Sequence, residues 1–180
     1  MDIDSRAGIT VLRRARLEDL ETIAAVEREL FGDSAYPYML LRQLFDLHGA
    51  HWVVAEVEDT IRGHALVGLG TKRCAWVMSL GVTEQYRRRG LGRSLLEHAV
   101  EHCRSERADR VRLTVRPSNR GAAALFELAG FVRIAKDDSY FGSNEPREVL
   151  EHSLNGDRRR WRSDDPGDPR WIKRPRGPHP

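Results

Sequence analysis

The chain has 180 residues and 20.6 kDa, with 40% hydrophobic and 32% charged residues. This composition suits one globular domain with a real core and excludes a disordered chain. The net charge is +3, but the stretch from Glu151 onward holds eight Lys or Arg against five Asp or Glu, so residues 1–150 are near neutral and the basic balance gives the domain little claim on specific nucleic-acid binding.

Ile9 to Arg13 alternates as a first strand. Leu17, Leu20, Ile23, Ala24 and Leu30 give the apolar face of a helix over Leu17–Phe31, and Glu18, Asp19 and Glu21 favour the dipole at its first turn. A short helix follows over Tyr38–Leu47. His51–Val57, Ile61–Leu69 and Ala75–Val82 read as an antiparallel meander, with a turn at Glu58-Asp59. A long helix opens after Gly90 and runs to about Glu106, with Leu91, Leu95, Leu96, Ala99, Val100 and Cys103 at helical spacing. Val111–Val115 returns as a strand, and this strand–helix–strand step predicts a parallel pair. Ala122–Ala129 is a short helix closed by Gly130, and Phe131–Ile134 with Val149–Leu154 form a last hairpin. The pattern fails from Asn155, and the Pro/Arg/Gly-rich segment to Pro180 is expected to be disordered, with Trp161 and Trp171 packing on the domain or docking a partner. Domain and tail thus divide at residues 1–154 and 155–180. Apolar runs far short of a bilayer span, and a start (MDIDSRAG) without a signal peptide's basic and apolar regions, predict a cytoplasmic protein with no membrane segment. Cys74 and Cys103 read as reduced core thiols with no metal spacing around them; His98 and His102, four apart on the long helix, are too few for a metal site, and His48 and His51 lack partners.

The stretch around which the rest is organised is SLGVTEQYRRRGLGRSLLEHAV, Ser79 to Val100. Glycines at 90 and 92 leave backbone N–H groups uncovered where the following helix is positive, and Arg87, Arg88 and Arg89 add field. That combination suits a phosphate-bearing cofactor; a tight turn before a helix uses the same glycines. GxGxxG and GxxxxGK[ST] are both absent.

This loop and a second stretch, LTVRPSNRGAAALFELAGF (Leu113–Phe131), together resemble the GNAT superfamily of acetyl-coenzyme-A-dependent N-acyltransferases, most closely its RimI-like and N-terminal amino-acetyltransferase branch. The resemblance covers roughly Ile9 to Leu154. It implies an α/β fold with a mixed central sheet, splayed between its fourth and fifth strands and flanked by helices. It implies acetyl-coenzyme A as cofactor, with the backbone of Leu80, Gly81 and Val82 on the thioester and pantetheine. The N–H groups across Arg87, Arg88, Arg89, Gly90, Leu91 and Gly92 would hold the pyrophosphate, and Asn119 would touch the pantetheine. Asn119 also fits as a helix N-cap. LFGDSAYPYMLL resembles the loop that lines the acceptor groove, which gives Tyr36 and Tyr38 an acceptor role beside plain packing at a helix entrance.

N-acetylation asks the protein to place a neutral amine against an activated thioester, take its proton and steady the developing oxyanion. The branch carries a glutamate and a tyrosine for this proton traffic, where this chain has Thr114 and Phe126. Tyr140, just past the strand after Phe131, is the candidate acid; a water chain from backbone carbonyls is the alternative, and Glu29 and Glu84 rank behind as bases. Thr114 stays as a contact to the substrate. The expected reaction is acetyl transfer to a primary amine, a protein N-terminus or lysine first. A small-molecule amine or antibiotic, or a non-catalytic coenzyme-A binder, is the alternative. A monomer or homodimer is expected.

Overall fold

The computed structural model describes residues 10–155. Seven strands, β1 (Thr10–Arg14), β2 (Val53–Val57), β3 (Thr60–Leu69), β4 (Cys74–Val82), β5 (Arg110–Val115), β6 (Val132–Asp137) and β7 (Arg147–Ser153), form a sheet in the order β1-β2-β3-β4-β5-β7-β6. Four helices accompany them: α1 (Leu20–Phe31), α2 (Tyr38–His48), α3 (Leu91–Ser105) and α4 (Arg120–Leu128). Every helix and strand expected from the sequence is present, and the mixed α/β class holds. Within the described residues the chain divides into two compact units, 10–68 with 78–102, and 69–77 with 103–155. The expected tail beyond Asn155, with Trp161 and Trp171, lies outside the described residues.

In the first unit, β1 runs antiparallel to β2 from Thr10↔Val57 to Arg14↔Val53, and β2 antiparallel to β3 with a bulge at Ala55/Glu56. Glu58 and Asp59 both take positive φ (50° and 57°), the geometry of a two-residue hairpin turn whose twist matches its strands. Leu20, Ile23 and Ala24 of α1 pack with Leu41, Trp52, Val54, Ile61 and Leu66 into one core cluster. Burying a leucine of this kind is worth about 1.5–3 kcal/mol. Leu17 departs from the expectation: it is 49% exposed, because Leu17–Asp19 is a separate 3-10 turn that rotates it off the apolar face. Asp19 stands at the N-terminus of α1 as expected, and it is buried there. It accepts two bonds from Arg13, at 2.7 and 2.9 Å, and one from the Arg16 backbone N–H at 2.7 Å. Gly63 of β3 is required by close approach, since a Cβ there would stand 2.8 Å from the Gly81 carbonyl oxygen.

In the second unit, the start of β4 pairs parallel with β5 from Cys74↔Arg110 to Val77↔Leu113. Both strands continue past that register, β4 to Val82 and β5 to Val115. β7 pairs antiparallel with β5 and with β6, so the predicted closing hairpin is formed. α4 ends at Ala129, and Gly130 takes φ +85°, the left-handed position that favours glycine after a helix. Arg112 of β5 is 1% exposed and donates from Nε to Glu151 at 2.8 Å. Cys74 and Cys103 are buried free thiols. Burial pushes the Cys103 thiol up to about 12 and raises Cys74 as well, so neither is a nucleophile at neutral pH.

Candidate functional site

The first unit carries the phosphate-seat candidates. β4 ends at Val82, a short 3-10 turn covers Glu84–Tyr86, and Arg87–Gly90 lead into α3. Arg88 (φ +60°) and Gly90 (φ +83°) are both left-handed, which turns the loop so that α3 begins at Leu91. The Gly90 carbonyl accepts the Ser94 N–H at 3.0 Å, the first bond of the helix. A helix leaves its first N–H groups without intrahelical acceptors, so the turn opened by Leu91 and Gly92 presents donors at the positive end of the dipole. No heavy atom lies within 4 Å of where a Gly90 Cβ would stand, so the backbone is bare on that side. This fits a phosphate-bearing group.

The arginines divide their work. Arg87 donates from Nε to the Val82 carbonyl at 3.1 Å, tying the loop to the end of β4. The Arg89 and Arg62 guanidinium carbons lie 5.2 and 5.0 Å from the Tyr86 ring centre. Arg88 is exposed. Leu91 is buried, fixing the start of the helix against the core. On β4, Leu80 is half-buried and Gly81 is buried; a Cβ on Gly81 would stand 2.5 Å from Leu30 Cδ1 and 3.3 Å from His64 Cε1.

Beneath this part of β4 lies a polar cluster that sequence reasoning missed. Glu27 of α1 is 1% exposed and His64 of β3 fully buried. Glu27 Oε1 takes a 2.7 Å bond from His64 Nε2 and another from the Ser79 hydroxyl. Its other oxygen accepts the Tyr36 backbone N–H at 3.2 Å. Burial alone would raise the Glu27 carboxyl; the bonds and charge from His64, Ser79 and Tyr36 together hold it below the ordinary carboxylate range. Glu27 falls at helical spacing on the apolar face of α1, one turn after Ile23 and Ala24. That position on an apolar stripe was the one available signal.

Tyr36 and Tyr38 flank Pro37 at the entrance of α2. Tyr36 is half-buried against the core, and its hydroxyl donates to the Met78 carbonyl at 3.4 Å. Tyr38 is 44% exposed. Of these two tyrosines, the fold therefore anchors Tyr36 to β4 and leaves Tyr38 open. The histidine reading needs one correction: His51 has a partner, since its Nδ1 lies 2.8 Å from His102 Nε2, a pairing across 51 residues that local spacing does not reveal.

The second unit carries the remaining candidates. Thr114 is half-buried on β5, opposite Val149. Asn119 is the N-cap of α4, its side-chain oxygen accepting the Ala122 N–H at 3.1 Å. Phe126 is buried, its ring centre 6.1 Å from that of Phe131, so it packs in the core. Tyr140 lies in the turn after β6, half-buried, with its ring edge-on to Phe141 at 4.8 Å. Burial, then Asp137, raise its phenol above the ordinary value against a smaller opposing effect of Arg112. It is a protonated phenol at neutral pH, the state a proton donor requires. Glu29 and Glu84 are exposed. Among the described residues no helix is long and apolar enough to cross a membrane.

The sequence pattern of the acetyltransferase (GNAT) family matches residues 15–131. An N-alpha-acetyltransferase of Saccharolobus solfataricus is 26% identical over 155 residues, covering 79% of this chain and 92% of its own. Among solved structures, Ard1 from Thermoplasma volcanium superposes with a TM-score of 0.74 at 22% identity, over 80% of this chain and 97% of its own. The ribosomal-protein-S18-alanine N-acetyltransferase of Escherichia coli superposes with a TM-score of 0.70 at 20% identity, over 85% and 100%. At these identities the structural likenesses speak to the fold.

Proposed function

Because this chain belongs to the acetyltransferase (GNAT) family, we propose that it moves the acetyl group of acetyl-coenzyme A to the α-amino group of a protein or peptide. The observation that carries this reading is the bare, left-handed Gly90 loop at the start of α3, read together with a relative named N-alpha-acetyltransferase. When bound, acetyl-coenzyme A supplies a thioester already activated for attack. The N–H groups from Arg87 to Gly92 would hold its pyrophosphate, Leu80, Gly81 and Val82 would line its pantetheine arm, and Asn119 would add a contact beside its capping bond.

Tyr36 forms the wall for the acceptor backbone, and Tyr38 offers the exposed ring beside it. Tyr140, a protonated phenol, would be the proton donor where the coenzyme's sulfur leaves. Thr114, a neutral hydroxyl, orients the amine or a water and takes no proton itself. The amine proton then leaves through water. Residues 1–154 make up the transferase domain in this reading. The protein works in the cytoplasm as a monomer or homodimer.

The test is thiol release from acetyl-coenzyme A against N-terminal peptides, lysine peptides, polyamines and amino-bearing antibiotics. Preference for N-terminal peptides is expected. A best acceptor among the small amines would overturn the acceptor class and leave acetyl transfer standing. Absence of acetyl-coenzyme A binding by titration calorimetry would sink the whole reading.

A further inference from the structure

We infer that Glu27, braced by His64 and Ser79, is a positioning residue for the amine acceptor and acts through the backbone of Tyr36. This rests on the acceptor role proposed above for Tyr36. The segment from Gly32 to Pro37 joins α1 to α2 without an α-helix or strand of its own. It starts at Gly32, whose φ of +54° and open surroundings make a bend. Tyr36 is then held at two points. Its N–H reaches back to Glu27 on α1, and its hydroxyl reaches forward to the Met78 carbonyl on β4. These bonds fix the direction in which the ring faces.

The charge on Glu27 is what lets one side chain serve three donors. A carboxylate is an acceptor at both oxygens, and here the donors are Tyr36 N–H, His64 Nε2 and the Ser79 hydroxyl. His64 Nδ1 is buried and has no hydrogen-bond partner, so the ring meets the cluster through Nε2 alone. The absent side chain of Gly81 leaves room for that ring. Burying a carboxylate is costly, and well-packed apolar side chains would often stabilise the same core more. A network of this kind is therefore better explained by the geometry it imposes than by stability. It imposes that geometry on one segment, the one that carries Tyr36.

Glu27→Gln is nearly isosteric but presents one acceptor oxygen and an amide donor. Either the Tyr36 N–H or the His64 Nε2 then faces that donor in place of an acceptor. Two readouts decide, both on the full chain with retained melting temperature. Amide hydrogen exchange should quicken at Tyr36 by about ten-fold or more while α3 stays protected. The KM for the best acceptor peptide should rise roughly ten-fold, with kcat and the KM for acetyl-coenzyme A within two-fold of wild type; loss of one charge-assisted bond corresponds to about this factor. Ser79→Ala, which removes one brace, should give about a three-fold change in the same two quantities.

Unchanged Tyr36 exchange in either folded variant would overturn the inference. So would faster exchange with an unchanged acceptor KM, or a rise of both KM values together, which a merely structural role gives. If Glu27→Gln fails to fold, Ser79→Ala decides alone by the same readings. A wild-type chain that binds acetyl-coenzyme A but acetylates no acceptor overturns the proposed function and this inference with it; no variant is needed to see that outcome.

Discussion

Replacing Gly90 separates a turn from a ligand seat. The residue has φ +83°, and a Cβ built on it meets no heavy atom within 4 Å. The folding cost of Gly90→Ala is therefore the left-handed backbone alone, about 1–2 kcal/mol. For a chain of this size that lowers Tm by about 2–8 °C. Asparagine tolerates this region better than alanine, so Gly90→Asn should melt closer to wild type while projecting a larger side chain over the first N–H groups of α3. If the pyrophosphate sits there, at least one charge-assisted hydrogen bond is lost, about 1.5–3 kcal/mol, and Kd for acetyl-coenzyme A rises roughly 10- to 100-fold. Circular dichroism melts and titration calorimetry on the same preparations give both numbers. The decisive result is the ordering: Asn the milder variant for folding and the more severe for binding. A folded Gly90→Asn chain with wild-type Kd would refute the seat, and losses of Tm and affinity in step across the two variants would leave Gly90 as a turn residue only.

Arg13→Ala should cost roughly 2–3 kcal/mol in urea unfolding, because it strips two bonds from the buried Asp19 and one from Glu56; a loss below about 0.5 kcal/mol would contradict this. Asp19 and Glu27 both have carboxyls held below their ordinary values of 3.8 and 4.5, so the stability they contribute is intact above those values and is lost as pH falls through their lower folded values. Acid titration of stability should accordingly be shallower in Asp19→Asn than in wild type below about pH 4, and an identical slope would remove Asp19 from the account. Tyr140→Phe should lower kcat by about 100-fold with acetyl-coenzyme A affinity unchanged, as expected of a lost general acid; unchanged kcat would free Tyr140 from that role. Leu95→Ala, at a side chain with no exposure, should cost about 2–5 kcal/mol and mark the packing of α3.

The order of elements was legible because each one carries a local period. The alternation in Val53–Val57, the helical spacing of Leu91, Leu95, Leu96 and Ala99, and the turn residues Glu58-Asp59 and Gly130 all act within a few residues. The glycine loop before α3 was legible for the same reason, since a helix start and its positive φ are local properties. Leu17 was misplaced because the choice between 3-10 and α geometry at a helix entrance is set by what the first turn binds, here Arg13 and Arg16 on Asp19. The Glu27–His64–Ser79 cluster and the His51–His102 pair were out of reach: their members stand 37, 15 and 51 residues apart, and no spacing rule links them. The sequence by itself determined the elements, their order and the bare backbone at Gly90, which follow from hydrophobic period and from φ. Only the tertiary structure decided which polar groups would be buried together and which end of Tyr36 each would hold, because charge burial is tolerated only where distant strands and helices bring its donors to one place.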